Sequence, residues 1–327
     1  MRHFDLLSIL ANGKFHSGEI LGQRLGISRS AVWKALKKLE SYDIEVYSVN
    51  GKGYRLRKPL ELLDKQIIQS LICTESISHI DSIDVLPTID STNNYLQKKI
   101  SEHCLLPNNA KICLAEHQTA GRGRRGRQWF SPYAKNIYFS LLWQLSEINQ
   151  LVEGLNLVIP VAVCKALERS GLHDIAIKWP NDIYWQRKKL AGILVELCGE
   201  SNSPRSIIVG IGVNYDMHDI SDVAIDQPWT DVKSIAKDRL VSRNELVAHL
   251  ITEIVVALSH WQAHGFEWFL SEWQRYDCVT GLQVEMKTYD GVVHGRGLGI
   301  DSTGALLLET QQGIKRFYSG DVSLRLS

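Results

Sequence analysis

Four arginines and three glycines fall within seven residues in Gly121-Arg122-Gly123-Arg124-Arg125-Gly126-Arg127, and Gln128-Trp129-Phe130 follow at once. Glycines free the backbone, and clustered arginines repel one another unless an anion lies between them. The composition predicts a loop, mobile when empty, that closes over a charged ligand. Its flank, Glu116-His117-Gln118-Thr119-Ala120, adds polar groups. Taken alone, such a run is equally the mark of a basic surface loop or a nucleic-acid-binding tail.

Four further segments bear on that choice. Asp90-Ser91-Thr92-Asn93 lies between an expected strand and an expected helix. A helix cap accounts for one of these polar residues, and the surplus suits a small neutral polar ligand. Lys178-Trp179-Pro180-Asn181-Asp182 ends another expected strand, so Asn181 and Asp182 should project from a rigid strand end, where binding groups tend to sit. The alternative there is an ordinary Pro-Asn-Asp turn. Lys189 stands at the entry to the apolar strand Ile193–Leu197, with Gly192 allowing close approach to the backbone. Gly210-Ile211-Gly212-Val213-Asn214 repeats the device, glycines within a strand and an amide at its end.

The chain has no GxxxxGK[ST] phosphate loop and no serine or cysteine in a nucleophile motif. Cations, flexible glycines and amides suit a reaction in which a substrate carboxylate attacks a nucleotide phosphate. Two anions must then be brought together, and positioning with electrostatics, usually with Mg²⁺, does most of the work.

The elements that must position these residues fall into three parts. The chain has 327 residues, 44% of them hydrophobic and 22% charged, with a formal net charge of +1. That is the composition of a soluble globular protein with two or three domains. Residues 1–58 hold 11 Lys/Arg against 5 Asp/Glu, a net of +6, leaving −5 for the rest. The N-terminal part is therefore the candidate polyanion binder. It reads as a helix over residues 3–22 broken at Asn12-Gly13, a second helix opening at the N-cap Ser17, a turn at Gly26, and a third helix capped by Ser28. Val32, Leu36 and Leu39 face inward; Arg29, Trp33 and Lys37, with Lys34 and Lys38 beside them, face outward. Ile44–Val49, the turn Asn50-Gly51 and Tyr54–Arg57 form a hairpin carrying Lys52, Arg55, Arg57 and Lys58. This is a winged helix-turn-helix, whose recognition helix would enter the major groove while the wing meets phosphates. A protein-interaction module with a solvated basic face is the alternative. Trp33 either meets a thymine methyl or packs against the wing.

Leu60–Glu75 is a connector with a short helix at Asp64–Leu71. Residues 83–270 carry expected strands at Ile83–Leu86, Lys111–Glu116, Asn136–Leu142, Ile175–Trp179, Ile193–Leu197 and Ser206–Val213. Expected helices are Thr92–Lys99, Leu151–Ser170, Arg243–Gly265 and Phe266–Tyr276, giving an α/β or α+β domain. From Gly281 short strands alternate with turns at Tyr289-Asp290-Gly291, Ser302-Thr303-Gly304 and Gln312-Gly313, the pattern of a small β-barrel.

The six cysteines include no CxxC pair, which argues against a zinc or disulfide framework and for a reducing cytoplasm. No apolar run of about 18 residues predicts a membrane span. No signal peptide is apparent at the start. His260 and His264, one helical turn apart, lack a third metal ligand nearby and read as surface histidines.

The arginine loop, the Lys-Trp-Pro-Asn-Asp segment and Lys189-Leu190-Ala191-Gly192-Ile193-Leu194 together resemble bacterial biotin–protein ligases. With its winged helix the chain resembles the bifunctional type, which also represses the biotin operon. Lipoate ligases share the fold but carry a different glycine-rich loop. The resemblance spans nearly the whole chain and implies an α+β fold. Residues 1–60 would form the winged helix-turn-helix, 61–82 a connector, and 83–277 a ligase domain with a central mixed sheet like that of class II aminoacyl-tRNA synthetases. Residues 278–327 would form an SH3-like barrel.

It implies that biotin and ATP, with Mg²⁺, yield biotinyl-5′-AMP and pyrophosphate, and that biotin then passes to a lysine of the biotin carboxyl carrier protein of acetyl-CoA carboxylase. Ser91, Thr92, Asn93 and Gln118 would contact biotin, the first and last at its ureido ring, alongside Gly121 and Gly192. Arg122, Gly123 and Arg124 would close over its carboxylate and the adenylate phosphate. Lys189 would neutralise developing charge, and Trp129 would pack beside the ligand. Asn181, Asn214 and Trp229 match adenylate-side positions, and residues 216–236 would order around the adenylate. Asp182, with Arg124 and Lys189 a candidate catalytic group, could accept or steer the proton of the acceptor lysine. Ser28, Arg29, Ser30, Trp33, Lys34, Lys37, Lys52 and Arg55 would meet operator DNA. Binding of biotinyl-AMP would favour a homodimer through the Ile193–Leu197 edge. A ligase whose winged helix does not regulate, and a ligand-sensing transcription factor without catalysis, remain the alternatives.

Overall fold

Of the 327 residues, the computed structural model describes 2–100, 109–145, 152–199, 205–220, 225–237, 241–288, 291–318 and 323–326. The first three helices are α1 (Arg2–Leu10), α2 (Gly18–Leu25) and α3 (Arg29–Glu40). Ser17 Oγ accepts from the Ile20 N–H at 3.1 Å, and Ser28 Oγ from the Ala31 N–H at 3.2 Å, so both helices start where the sequence places their caps. Gly26 makes the turn between them with φ 61°. Val32, Leu36 and Leu39 pack on Leu6, Leu7, Leu10 and Leu21. The wing follows as β1 (Val46–Val49) paired antiparallel with β2 (Gly53–Leu56).

The connector is no loose tether. Asp64 caps α4 (Lys65–Leu71), accepting from the Gln66 and Ile67 N–H groups, and α5 (Thr74–Ile77) follows. Leu63, Ile68 and Ile72 belong to the main core.

That core is built on seven strands: β3 (Ile80–Leu86), β4 (Ala110–Ala115), β5 (Asn136–Gln144), β6 (Ile175–Lys178), β7 (Asp182–Trp185), β8 (Lys188–Cys198) and β9 (Ser206–Asn214). Their order is β3-β4-β5-β9-β8-β7-β6; β3 and β4 run parallel, and every other neighbouring pair is antiparallel. The mixed sheet agrees with the sequence reading. One expectation is corrected. Asn181 and Asp182 stand at the strand ends of a tight hairpin, not where the chain leaves the sheet. Lys178 pairs with Asp182 across a three-residue loop, and the chain returns at once as β7. The apolar, aromatic run Ile183-Tyr184-Trp185 drives that return, behind polar residues that read as a turn. β8 also starts earlier than expected, so Lys189 lies within it, beside a bulge where Ile183 faces Ala191 but Tyr184 faces Lys189.

Period-two alternation divides the sheet. Ile137, Phe139, Leu141, Ile193, Ile211 and Val213 share one core with α7 (Leu155–Arg169) and α9 (Arg243–His264). The α7 helix starts four residues after the expected Leu151, which lies outside the described residues. By length and composition α9 could cross a membrane, but Leu246, Leu250, Ile254 and Leu258 are fully buried in the main core, which identifies it as a core helix. The opposite face of the sheet is covered at one end by α6 (Thr92–Ile100) and is otherwise open to a cavity. Two further helices, α8 (Val232–Ala236) and α10 (Leu270–Tyr276), complete this part. On α9, His260 and His264 stack with Trp268. The five cysteines among the described residues are free; Cys104 lies outside them.

The C-terminal sheet comprises β10 (Gln283–Thr288), β11 (Gly291–Ile300), β12 (Leu306–Thr310), β13 (Gly313–Phe317) and β14 (Ser323–Leu326), in the order β13-β12-β11-β10-β14. Turns fall at Ser302-Thr303-Gly304 and Gln312-Gly313 as expected, while Tyr289 and Asp290 lie outside the described residues. Trp179 Nε1 donates to the Gly304 carbonyl at 3.2 Å, tying the β6–β7 loop to this barrel.

A buried ion pair fixes the connector to the sheet. Arg243 Nη1 lies 2.8 Å from Glu116 Oε2, with both side chains almost fully buried. The same guanidinium donates to the carbonyls of Glu61 and Asn136, and Glu116 accepts from the Leu63 N–H. Beside it, Phe4 and Tyr42 of the winged domain meet Tyr133 at ring-centroid distances of 5.7 and 5.5 Å, and Tyr42 meets His117 at 5.4 Å. Burial lowers the pKa of His117, favouring the neutral ring in this seam. Arg243→Ala should lower the unfolding free energy by about 3–5 kcal/mol, because a buried carboxylate loses its partner. The paired replacement Arg243→Met with Glu116→Gln should cost less than Arg243→Ala. Urea unfolding of the three proteins checks both expectations.

Candidate active site

The open face of the sheet is shaped by missing side chains. In register across β5, β9, β8 and β7 lie Tyr138, Gly212, Gly192 and Asp182; in the next row lie Ser140, Gly210 and Leu194. A Cβ on Gly212 or Gly192 would collide with the indole of Trp129, and one on Gly210 with the amide of Asn93. The glycines are therefore the floor on which the indole of Trp129 and the Asn93 amide rest. Above them is a cavity of about 760 Å³. It is lined by Ser91, Thr92, Asn93 and Gln118 at one end and by Lys178, Asn181, Asp182, Lys189 and Trp229 at the other, with the arginine loop across it.

At the first end, a hydrogen-bond chain fixes the polar groups. The Thr92 N–H donates to Gln118 Oε1 at 2.9 Å, and Gln118 Nε2 donates to Ser131 Oγ at 3.3 Å. Ser140 Oγ lies 2.7 Å from Thr92 Oγ1 and 2.5 Å from Asn93 Oδ1. Asn93 Nδ2 donates to Glu196 Oε2 at 2.8 Å. Ser91 is buried immediately before α6, and its carbonyl accepts the Tyr95 N–H. Burial works against the neighbouring Asp90 carboxylate, yet the Ser91 N–H and the Asn94 amide hold its pKa below the ordinary value. Ser140, Ser131 and Glu196 carry no motif and escaped the sequence reading. Period two would have found two of them: Glu196 lies four residues beyond Gly192 and Ser140 four beyond Asn136, on the same face.

The arginine loop is a small hairpin. Arg122 bridges to Gln128, the Gly123 N–H donates to the Arg127 carbonyl at 2.7 Å, and a 3₁₀ turn spans Arg124–Gly126. Gly121 leaves room for the Trp129 carbonyl and the Ser131 hydroxyl, 2.6 and 2.7 Å from where a Cβ would stand. Arg124 Nη1 donates to Asn181 Oδ1 at 2.7 Å. Burial lowers the Arg124 pKa; Asp182 acts to raise it and Arg125 and Arg127 to lower it further. Arg122 points elsewhere: its guanidinium lies 2.6 Å from Glu196 and 2.8 Å from Asn94 Oδ1.

At the second end, Lys189 Nζ lies 2.8 Å from Asp182 Oδ1 and 5.6 Å from the centre of the Trp129 ring. Trp129 Nε1 is buried without a hydrogen-bond partner among the described residues, a donor that an acceptor on a ligand would satisfy. Asn214 is occupied structurally: its amide donates to the carbonyls of Thr230 and Lys189. The Lys189 N–H donates to the Pro228 carbonyl and the Thr230 N–H to the Lys189 carbonyl, so residues 228–230 run along β8 and carry Trp229 to the cavity. Residues 221–224 of the segment expected to order around the adenylate lie outside the described residues. Lys178, unassigned from sequence, is buried and donates to Tyr184 OH at 3.2 Å. Among the lining residues the carboxylates are Asp182 and Asp226, against seven Lys/Arg side chains. A magnesium ion would fit here chiefly as a guest of ATP phosphates and water, as Mg²⁺ usually binds.

In the winged helix, Arg29, Ser30, Trp33, Lys34 and Lys37 are exposed along α3, and Lys52 at the wing tip. Trp33 does not pack away; it is 53% exposed, with Lys37 Nζ 5.9 Å from its ring centre. Ser28 is committed to the cap and lies 2.9 Å from Ser30 Oγ. Arg55 is held between Phe15 and Tyr47, 5.2 Å from each ring centre, so it braces the wing.

Over nearly its full length the chain is similar to a bifunctional ligase/repressor, BirA, of Escherichia coli, with 40% identity over 321 residues covering 98% of this chain and 96% of that protein. The chain belongs to the bifunctional biotin ligase/repressor family. The corresponding BirA of Bacillus subtilis is 33% identical over 332 residues, 98% of each chain. Family models described as biotin/lipoate A/B protein ligase, HTH domain and biotin protein ligase C-terminal domain match residues 85–214, 2–55 and 280–325. A solved structure of the biotin protein ligase from Aquifex aeolicus in complex with biotin and ATP superposes with a TM-score of 0.63 and 30% identity, covering 76% of this chain and all of that one. The three modules seen here are thus those of the family: an N-terminal winged helix, a ligase domain on a mixed sheet and a C-terminal barrel.

Gly212→Ala should force Trp129 off its floor. Biotin affinity, measured by titration calorimetry, should fall more than about tenfold, equivalent to about 1.4 kcal/mol. Unchanged affinity would mean that the glycine rows are not the ligand's floor.

Proposed function

We propose that the cavity carries out both halves of biotin ligation and that its occupancy is read by the winged helix. The chain is an ATP-dependent biotin–protein ligase with a repressor's DNA-binding domain. The observation that carries the residue-level reading is the juxtaposition in one cavity of a neutral polar end, a glycine floor and a cationic end. Ser91, Thr92, Asn93 and Gln118 suit the ureido head of biotin. The Trp129 indole, seated on Gly192 and Gly212, suits its apolar body and chain. The carboxylate then emerges among Arg124, Lys189 and Asn181.

There a biotin carboxylate oxygen attacks the α-phosphorus of ATP. The bond from that phosphorus to the bridging oxygen breaks, and pyrophosphate leaves with the electron pair. Lys189 and Arg124 offset charge that would otherwise keep the two anions apart. Mg²⁺ brought with ATP supplies further neutralisation on the phosphates. Residues 228–230, stitched to β8, carry Trp229 to the cavity, which supports a role for it beside the adenylate. In the second half, the amine of the carrier-protein lysine attacks the acyl carbon of biotinyl-AMP, and AMP leaves. That amine must first lose a proton, with an unperturbed pKa of about 10.4. Asp182 is the carboxylate nearest Lys189 and the candidate to accept or steer it.

Arg29, Ser30, Trp33 and Lys34 on α3, with Lys52 on the wing, suit operator DNA of biotin genes. Dimerisation through β8 is supported by its geometry: from Leu194 onward no described strand pairs with the side away from β9. The reaction, its carrier and the operator all belong to the cytoplasm.

Binding to DNA upstream of the host's biotin-synthesis genes should be tight only with biotin and MgATP together, and weak with protein alone or with biotin. Carrier biotinylation without DNA binding under any condition would leave a ligase that does not regulate. Absence of pyrophosphate exchange would favour a ligand sensor without catalysis. Separately, Asp182→Asn should slow transfer from preformed biotinyl-AMP to the carrier by about a hundredfold or more, within the range of a general base. Transfer at the wild-type rate would remove Asp182 from that role.

A further inference from the structure

Arg122 and Arg124 sit two residues apart on the same loop, yet they engage opposite walls of the cavity. Arg124 reaches Asn181 in the β6–β7 loop. Arg122 crosses to Glu196 on β8 and to Asn94 on α6. Its guanidinium meets both carboxylate oxygens, with Nη2 2.6 Å from Oε1 and Nη1 3.4 Å from Oε2. That is the planar pairing at which arginine is most directional. The second oxygen of Glu196 also accepts from Asn93 Nδ2 at 2.8 Å, and Asn93 lies against Gly210. One carboxylate therefore joins the loop, the start of α6 and the polar end of the cavity. Lys189, by contrast, lies beyond Gly192 at the other end of the same strand, ion-paired with Asp182 of the neighbouring β7.

We propose that Glu196 is a positioning residue that pins the arginine loop over the cavity through Arg122, so that the Arg122 side chain serves as the loop's anchor and Arg124 and Lys189 carry the phosphate charge. The inference rests on the ligase reading only for its second readout. Without Glu196 the four arginines of residues 122–127 repel one another at the cavity mouth, and one end of the loop is left to the Asn94 amide. The loop would then open more often, and an adenylate held beneath it would escape before meeting the carrier.

Two measurements on the full chain test this. The first is limited trypsin digestion of the ligand-free protein, following cleavage after Arg122, Arg124, Arg125 and Arg127. Glu196→Gln keeps an acceptor for Asn93 but removes the charge that holds Arg122, and should speed cleavage about three- to tenfold, in keeping with a partly exposed charge-assisted pair. The charge-exchanged pair Arg122→Glu with Glu196→Arg should restore part of the protection. The second is release of preformed biotinyl-AMP, which should accelerate by a similar factor in Glu196→Gln, a larger change than in the rate of its formation. Wild-type cleavage rates in Glu196→Gln would overturn the proposal whatever the enzyme's substrate. A slower adenylation in Arg122→Gln with normal cleavage and release in Glu196→Gln would also overturn it, by making Arg122 a direct phosphate ligand. If the wild-type protein formed no biotinyl-AMP, the ligase reading would fail while the cleavage test still decided the anchor.

Discussion

Three strand positions without side chains create the site. Gly192, Gly210 and Gly212 sit side by side or one pair apart in the middle of a sheet whose other face is fully packed. A strand interior gains nothing intrinsic from glycine, which weakens it through lost packing and greater backbone entropy. Here the loss is offset by what settles into the space: the indole of Trp129 and the amide of Asn93, brought from two different connections. Everything else in the cavity is arranged around that floor. The arginine loop must start from Gly121, because only a residue without a side chain fits beneath the Trp129 carbonyl and the Ser131 hydroxyl. The β6–β7 hairpin must turn within three residues to place Asn181 opposite the loop.

The buried pair of Glu116 and Arg243 does for the domains what the glycines do for the cavity. Glu116 lies two residues before Gln118, so one short segment contributes to the ligand pocket and to the attachment of the connector and winged helix. His117 between them turns its ring to Tyr42 and Tyr133. A buried ion pair contributes little net stability against an apolar alternative, but it tolerates few other geometries. Its place here fits a protein in which the angle between a DNA-binding head and a catalytic body matters more than the strength of the joint.

Much of this was legible from the chain alone, and the exceptions are instructive. The serine caps at Ser17 and Ser28, the inward triad Val32, Leu36 and Leu39, and the paired glycine strands all report local physics, and they stand where the sequence put them. The β6–β7 hairpin was obscured because Pro180-Asn181-Asp182 has the composition of a chain-terminating turn; its role depends on Ile183-Tyr184-Trp185 finding β8. Arg55 and Asn214 looked like free binding groups from their types. In the fold, aromatic rings brace the Arg55 guanidinium, and backbone carbonyls accept from the Asn214 amide at the cavity wall, contacts that residue type alone did not announce. Glu196 and Ser140 were invisible for the opposite reason, being ordinary residues made important by register.

The order in which the strands lie in the sheet is not the order in which a ribosome makes them. The winged helix draws most of its core from residues before 60, with Tyr133 and Ala134 added later, and can begin to fold soon after it emerges. The arginine loop follows near residue 121, but its floor does not. β5 waits for β9, with Asn136 paired to Asn214, and the segment bearing Trp229 comes later still. For the time it takes to add some hundred residues, at roughly 5–20 per second, the nascent chain presents a finished DNA-binding head and an unhoused cluster of arginines. During that interval it can hold neither nucleotide nor vitamin, so no ligand-bound signal can be sent from an incomplete chain.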